Sequence, residues 1–250
     1  MAEPVLHLAN LRKNFGGLIV TDDVTFDVAP RELHAVIGPN GAGKTTLINQ
    51  IAGTVIPDAG QIVFAGRDVT ALPVHARAAF GLARTFQITT ILPRFSALEN
   101  VALAVQATSG TSLRFFGRAD AETALNTAAA AALAEVDLAD RAHIPAGQLS
   151  HGEKRALELA IALAMKPKLL LLDEPMAGTG RDEAGRLVAV LKRLKGRLPM
   201  VLVEHDMTAV FSLSDRISVL IYGRILASGT PQEVRSDPRV IAAYLGDEME

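Results

Sequence analysis

The sequence predicts an α/β fold with a mainly parallel sheet, and two observations support this prediction. First, short apolar runs recur at residues 33–37, 169–172 and 200–203, and a glycine or a carboxylate residue follows each run. Runs of this kind are typical of buried strands. Second, residues 182–195 carry apolar side chains on one face of a helical pattern that ends at a glycine. A strand, a helix and a strand in succession indicate parallel strands joined by a crossover.

Four further segments complete the predicted core. Residues 24–28 alternate between apolar and polar side chains, which predicts a half-buried strand, and residues 61–64 predict another strand. Residues 216–228 hold two apolar runs around Tyr222 and Gly223, a pattern that is typical of a hairpin. Residues 238–245 predict a short terminal helix.

The middle third of the chain differs in composition from the rest. From about residue 89 to residue 164 the strand patterns fade, and residues 119–136 are rich in alanine and leucine, which favour helices. No internal repeat and no low-complexity linker divides the sequence. We therefore expect a single domain over residues 1–250, with a helical subdomain at about residues 89–164 inserted in the α/β core.

The composition excludes several classes of function. The 250 residues hold 25 basic and 27 acidic side chains and no cysteine, so disulfide scaffolds, thiolate zinc sites and cysteine nucleophiles are excluded. The net charge of -2 provides no broad basic field, and we expect no nucleic-acid partner. Residues 1–10 lack the basic region of a secretory signal, and no apolar run reaches the ~20 residues of a spanning helix.

Residues 38–45 match the phosphate-binding pattern G-x-x-x-x-G-K-[ST], after a predicted strand and before a helical pattern. Glycines there let backbone N–H groups turn toward phosphate oxygens, and the helix adds its positive end. Lys44 would hold the β- and γ-phosphates, and Thr45 would bind Mg²⁺. A glycine turn with one exposed lysine is the alternative interpretation. The candidate phosphate-binding residues are Gly38, Pro39, Asn40, Gly41, Ala42, Gly43, Lys44, Thr45 and Thr46.

Polar side chains follow two of the predicted strands. Asp173 and Glu174 come directly after residues 169–172, and His205 comes shortly after residues 200–203. Open α/β sheets bind their ligands at these carboxyl ends of the strands. Asp173 suits a contact with Mg²⁺, Glu174 suits positioning the water that attacks the γ-phosphate, and the imidazole of His205 can donate to that phosphate. Taken alone, an acidic strand end is more often only solvated, but the phosphate-binding pattern favours the catalytic interpretation.

These motifs, together with Leu-Ser-His-Gly-Glu at residues 149–153, resemble the nucleotide-binding subunit of an ABC transporter over nearly the whole chain. We call residues 149–153 the signature segment. The resemblance implies a P-loop NTPase core with an N-terminal antiparallel β part and a helical subdomain, in a chain that hydrolyses ATP with Mg²⁺. It also implies that Phe15 stacks on adenine, that Gln87 senses Mg²⁺ and the attacking water, and that His205 is the switch histidine.

The signature segment departs from the usual family pattern. In the family this segment covers the ATP held by a second cassette, which implies that Ser150 and Gly152 contact the phosphates. Most relatives have Leu-Ser-Gly-Gly-Gln, so His151 and Glu153 are departures. Ser150 and Glu153 also form the S-x-x-E pattern of a capping box, so we expect Glu153 to serve the helix end. A third departure is Gly180, where relatives usually carry an Asp or Asn that couples the two sites.

Within the family, the signature segment and residues 81–87, 204–207, 229–234 and 243–246 resemble the ATPase subunits of branched-chain amino-acid importers. The resemblance implies a peripheral protein at the cytoplasmic face of the inner membrane. Its partners would be a second cassette, identical or different, and transmembrane permease subunits that receive solute from a solute-binding protein. Urea or short-amide importers share much of this pattern and are an alternative.

Two other classes of protein are weaker alternatives. A soluble ABC ATPase acting on DNA or ribosomes carries a long coiled coil or two cassettes, whereas only about sixty residues separate Gln87 from Leu149 in this single cassette. A small P-loop GTPase or kinase would leave the signature segment unexplained, and the sequence has no Asn-Lys-x-Asp pattern for guanine recognition.

Overall fold

The computed structural model describes residues 3–85, 91–108 and 119–245. The chain divides into two compact units. The first unit comprises residues 1–82, 168–174 and 195–250, and the second comprises residues 83–167 and 175–194.

The strands of the first unit are β1 (Leu6–Phe15), β2 (Leu18–Val28), β3 (Leu33–Ile37), β4 (Ala59–Phe64), β5 (Arg67–Asp68), β6 (Leu82–Arg84, of which Leu82 belongs to this unit), β7 (Leu169–Asp173), β8 (Met200–Val203), β9 (Arg216–Ile221) and β10 (Arg224–Gly229). Its helices are α1 (Lys44–Ala52), α2 (Val74–Phe80), α7 (Met207–Leu213), α8 (Pro231–Ser236) and α9 (Pro238–Val240), with a π-helical turn at Ile241–Leu245. The helices of the second unit are α3 (Ala97–Thr108), α4 (Ala119–Glu135), α5 (His151–Ala164) and α6 (Arg181–Leu194), with 3-10 turns at Ala139–Arg141 and Ala146–Gln148.

The first sheet of the first unit is antiparallel, with the strand order β2-β1-β4-β5. Its inward side chains, such as Leu6 and Phe64, are fully buried. The strands expected at residues 24–28 and 61–64 are confirmed as parts of β2 and β4. Sequence analysis did not predict β1, because register shifts along this strand break the alternation of buried and exposed side chains.

The second sheet is mainly parallel, with the strand order β10-β9-β3-β8-β7-β6. Strand β3 pairs in parallel with β8 and β9, and β7 pairs in parallel with β8. Every residue of β3, β7 and β8 is buried, which explains why these strands are near-continuous apolar runs. β9 and β10 form the predicted hairpin around Tyr222 and Gly223. The prediction of a mainly parallel α/β core is confirmed.

The parallel strands bring three polar segments to one edge of this sheet. The phosphate loop, residues 38–43, follows β3, Asp173 ends β7, and Glu204 follows β8. Because β3, β7 and β8 run in the same direction, all three segments lie at the carboxyl edge, where open α/β sheets bind ligands.

The second unit is built mainly from helices. α3 packs on α4 and α5, α4 packs on α5, and α5 packs on α6. Small side chains such as Ala129 and Ala160 are fully buried, so the alanine-rich sequence serves close packing as well as helix propensity. The helical patterns at residues 119–136 and 182–195 are confirmed as α4 and α6. The assignment of residues 89–164 to a subdomain of one domain stays a prediction.

The terminal helix expected at residues 238–245 begins as α9 and continues as a π-helical turn. Within the described ranges, no helix combines the length and the apolar character that crossing a membrane requires.

Candidate functional site

The phosphate loop has a backbone that requires glycine at two positions. Gly43 has a φ of 104°, and a Cβ atom there would lie 2.4 Å from the carbonyl oxygen of Val20. A Cβ atom at Gly38 would lie 2.0 Å from the carbonyl oxygen of Leu220. These distances are shorter than van der Waals contact, so β2 and β9 lie too close to the loop for any side chain at these two positions. The sequence pattern therefore reflects a real steric constraint.

Lys44 begins α1 immediately after the loop and is 5% exposed. Its Nζ donates hydrogen bonds to the carbonyl oxygens of Gly38 at 2.6 Å and Pro39 at 3.0 Å. Burial lowers the pKa of Lys44, whereas the negative charges of Glu174 and Asp173 act in the opposite direction. The ammonium group therefore lies on the inner side of the loop, within the electrostatic reach of both carboxylates.

The first turn of α1, all of which is described, carries two hydroxyl side chains and no acidic one. Thr45 is exposed and Thr46 is half-buried. The positive end of the helix is therefore not offset by a carboxylate of its own first turn, which favours an anion at this position.

The two acidic residues occupy different environments at the end of β7. Asp173 is 1% exposed, and Glu174 is half-buried. The backbone of Glu174 has a φ of 48°, and its N–H donates to the carbonyl oxygen of Val203 at 2.8 Å. A positive φ is uncommon for a residue with a side chain, and such conformations are concentrated at functional sites. This uncommon backbone conformation comes directly after the predicted Mg²⁺ ligand.

His205 and Glu174 are in direct contact. The Nε2 atom of His205 lies 3.0 Å from Oε1 of Glu174, and their side chains are 41% and 19% exposed. Glu204 holds the backbone of this histidine, because its buried carboxylate accepts a hydrogen bond from the N–H of His205 at 2.6 Å. Sequence analysis placed Glu204 at the end of a buried strand and assigned it no role, although a carboxylate at that position was an available signal.

The structure thus brings together Lys44, Asp173, Glu174 and His205 in the first unit. Phe15 ends β1, with its side chain among the exposed apolar ones and the Nζ atom of Lys13 at 5.5 Å from the ring centroid. The face of an exposed aromatic ring suits stacking on a base. Gln87, the predicted sensor of Mg²⁺ and water, lies outside the described residues.

The signature segment opens α5 in the second unit, with Ser150 as the N-cap. The Ser150 hydroxyl accepts from the N–H of Glu153 at 3.2 Å, and the Glu153 carboxylate accepts from the N–H of Ser150 at 2.8 Å. Arg141 also donates to this carboxylate at 2.8 Å. The expectation that Glu153 serves the helix end is confirmed.

A second carboxylate, from Glu183 in the first turn of α6, also reaches the signature segment. The hydroxyl of Ser150 donates to Glu183 at 2.6 Å, and the backbone N–H of Gly152 donates to it at 3.1 Å. Sequence analysis missed this contact, because no local pattern connects residues that are more than thirty positions apart.

Two of the departures from the family pattern, His151 and Gly180, differ in their surroundings. The Nε2 atom of His151 lies 3.3 Å from the carbonyl oxygen of Ala177, so this side chain packs on the loop after β7. A Cβ atom at Gly180 would meet no atom within 4 Å, and its φ is not in the left-handed region. The backbone at Gly180 therefore does not require glycine.

The residues at the carboxyl edge fit a nucleotide with a hard divalent cation. The buried Lys44 ammonium and the unoffset end of α1 are suited to phosphate charge. Asp173 and the hydroxyl of Thr45 would supply oxygen ligands, and Mg²⁺ is usually bound through one or two protein oxygens together with phosphate oxygens.

Comparisons with known proteins agree with this geometry. Residues 21–177 match the ABC transporter family, and residues 224–250 match the branched-chain amino acid ATP-binding cassette transporter family. The chain is 37% identical to the high-affinity branched-chain amino acid transport ATP-binding protein BraF of Pseudomonas aeruginosa, covering 99% of this chain and 100% of that protein. It is 35% identical to the lipopolysaccharide export system ATP-binding protein LptB of Acidithiobacillus ferridurans, covering 98% of each.

Solved structures are similar over the same length. An ATP-binding cassette of an ABC transporter in its ADP conformation superposes with a TM-score of 0.83 at 27% identity, covering 98% of this chain and 100% of that one. A nucleotide-free ATP-binding cassette gives a TM-score of 0.83 at 28% identity, covering 97% and 99%. The predicted cassette fold and the resemblance stated from the motifs are both confirmed. The chain therefore belongs to the ABC transporter family and is one of its ATP-hydrolysing cassettes.

Proposed function

We propose that this chain powers an importer of branched-chain or related amino acids. The observation that carries the proposal is the match of residues 224–250 to the C-terminal family of branched-chain amino acid cassettes, since this segment lies outside the general ABC match. The full-length similarity to BraF supports the same solute class. A urea or short-amide importer is the alternative, and the similarity to a lipopolysaccharide export cassette shows that the ATPase core alone does not define the cargo.

We propose the following roles in nucleotide binding. The backbone N–H groups of residues 38–43 and the ammonium of Lys44 hold the β- and γ-phosphates, and Phe15 stacks on adenine. Ser150 and Gly152 contact the phosphates of ATP held by the second cassette. The family resemblance supports these roles, and the phosphate loop lies in the first unit and the signature segment in the second.

In hydrolysis, Glu174 positions the attacking water through its carboxylate and takes up its proton. The 3.0 Å contact with Nε2 of His205 fixes the orientation of this carboxylate, and Glu204 in turn holds the backbone of His205. Thr45, Asp173 and Gln87 would hold Mg²⁺, which neutralises phosphate charge when it is bound. Lys44 stabilises the negative charge that remains on the phosphates.

We further propose that residues 1–250 form one cassette domain in which residues 89–164 are a helical subdomain. Its partners are a second cassette and transmembrane permease subunits, which receive solute from a solute-binding protein. The exposed apolar side chains of Leu92 and Phe95 offer a contact for a permease. The protein would then be peripheral, at the cytoplasmic face of the inner membrane, with no nucleic-acid partner.

Steady-state ATP hydrolysis tests the catalytic roles. Glu174→Gln keeps the size of the side chain and removes the proton acceptor, so we expect kcat to fall about 100-fold or more. Lys44→Ala is expected to abolish detectable turnover at the same ATP concentration. Two matched controls, Glu233→Gln and Lys192→Ala, change exposed residues elsewhere and should retain activity. Full activity in either site variant would show that these roles are wrong.

Copurification tests the transport role. The Glu174→Gln chain, tagged and isolated from gently solubilised native membranes with ATP and Mg²⁺, should bring down multi-span subunits and a second cassette in mass spectrometry. A solute-binding protein recovered with them is then titrated with leucine, isoleucine and valine, and separately with urea and short amides. Recovery of ribosomal or DNA-associated proteins in place of membrane subunits would refute the proposal.

A further inference from the structure

The contact between Glu183 and the signature segment involves the two groups that we assign to phosphate binding. The Ser150 hydroxyl donates to Oε1 of Glu183 at 2.6 Å, and the N–H of Gly152 donates to Oε2 at 3.1 Å. Both carboxylate oxygens are therefore engaged, one by each donor. A bidentate acceptor of this kind presents oxygens much as a phosphate group does.

The side chain of Glu183 lies across Gly152 and uses the space left by its missing side chain. A Cβ atom at Gly152 would lie 2.5 Å from Cδ and 2.6 Å from Cβ of Glu183. Contacts this short are forbidden, so the approach of Glu183 to the signature segment depends on a glycine at this position.

Glu183 carries its negative charge in this contact. The hydrogen bond from Ser150 is the largest cause that lowers the pKa of Glu183, and the N–H groups of Gly152 and Gly180 lower it further. A carboxylate on these donors and a phosphate on the same donors exclude each other, because each donor carries one hydrogen. Repulsion between the two anions adds to this exclusion.

We propose that Glu183 occupies the phosphate-binding donors of the signature segment in the separated cassette and competes with the ATP of the second cassette for them. This inference rests on the proposed role of Ser150 and Gly152 in contacting that ATP. Glu183 is half-exposed, so rotation about its own side-chain bonds frees both donors without unfolding α5 or α6. The residue therefore raises the ATP concentration that the paired cassettes need.

The competing interpretation is that Glu183 only ties α6 to α5. In that case its removal weakens the fold and does not improve the use of ATP. Competition predicts a lower KM for ATP when Glu183 is removed, whereas a purely structural tie predicts no such fall, so kinetics separates the two interpretations.

The test measures ATP hydrolysis by the assembly that copurifies with this chain, as a function of ATP concentration. Glu183→Gln keeps the size and removes the charge, and we expect KM for ATP to fall about fivefold with kcat unchanged. Glu183→Asp shortens the reach while keeping the charge in the first turn of α6, and its KM should fall as well. Glu233→Gln is the matched control, since Glu233 also accepts from a hydroxyl and a backbone N–H, those of Thr230, at a helix start. Its KM should not change.

Ser150→Ala distinguishes failure of this inference from failure of the proposed function. If Ser150→Ala raises KM while neither Glu183 variant lowers it, the competition by Glu183 is overturned and the phosphate role of the signature segment stands. If Ser150→Ala leaves KM and kcat unchanged, that phosphate role is wrong, and the inference falls with it. A lower melting temperature of the Glu183 variants without a fall in KM assigns Glu183 to the structural tie and also overturns the inference.

Discussion

We expect Arg77 to stabilise α1, the helix that follows the phosphate loop, more than any other single side chain does. Its side chain is 0% exposed and donates to the carbonyl oxygens of Gln50 at 2.6 Å and Ile51 at 2.7 Å, in the last turn of α1. It also donates to the carbonyls of Leu72 and Thr70, each at 2.9 Å. The carbonyls at the end of a helix have no partners within the helix, so one guanidinium satisfies acceptors from both α1 and the segment before α2.

The expected cost of Arg77→Met follows from these bonds. The methionine keeps most of the buried stem, but four carbonyls lose a charged donor. Each buried acceptor left without a partner costs about 1–3 kcal/mol, whereas removal of the guanidinium recovers its desolvation penalty. We expect the free energy of unfolding to fall by about 3 kcal/mol, which lowers Tm by about 6–12 °C in a chain of this size.

Urea unfolding followed by circular dichroism measures this loss, and hydrogen exchange at the N–H of Gly53 reports the end of α1 locally. That N–H donates to carbonyls of the last turn, so its exchange should accelerate in Arg77→Met. Arg67→Met is the control, because it makes the same substitution at an exposed arginine. The Cζ atom of Arg67 lies 5.6 Å from the centroid of the Phe80 ring. A loss below about 1 kcal/mol in Arg77→Met, with unchanged exchange at Gly53, would refute the reasoning.

Three other substitutions probe the site and the fold. Gly43→Ala places its Cβ 2.4 Å from a backbone oxygen and should abolish ATP binding in equilibrium titration. Gly185 lies within α6, where an added Cβ meets no atom within 4 Å, so Gly185→Ala should raise the free energy of unfolding by about 0.5–1 kcal/mol. Phe15→Ala should raise KM for ATP about tenfold and Phe15→Tyr should not, since stacking on a base needs an aromatic face; equal KM values would contradict this role. The Thr70 hydroxyl is the largest cause that lowers the pKa of Asp68, from 3.8 to about 2. Because the pKa is lower in the folded state, ionised Asp68 stabilises the fold above pH 3.8, and this contribution is lost as the pH falls toward 2. The urea midpoint of Asp68→Asn should therefore depend less on pH in that range than the midpoint of the unchanged chain.

The predictable part of the fold consists of elements whose sequence pattern is local. The strands β3, β7 and β8 are buried on both faces, so they appear as apolar runs, and the helix α6 appears as an apolar stripe. Strand β1 was not predictable in the same way, because its register shifts break the alternation. The short helices α2 and α7 were also missed, since seven residues give too little periodicity to separate a helix from a loop.

The sequence by itself determined the edge of the sheet to which we assign catalysis. The phosphate loop follows β3, Asp173 and Glu174 stand at the end of β7, and His205 lies two residues after β8. Parallel strands necessarily bring such positions to one edge. The capping box of Ser150 and Glu153 was also readable, because it spans a single helical turn.

Only the tertiary structure decided which distant or buried side chains form hydrogen bonds with those segments. Arg77 donates to carbonyls in the last turn of α1, the buried Glu204 accepts from the N–H of His205, and Glu183 accepts from the hydroxyl of Ser150. Two of these contacts join residues far apart in the chain, and the third depends on burial. The free energy of each contact depends on how separate helices and strands pack, and such packing produces no periodic pattern in the sequence.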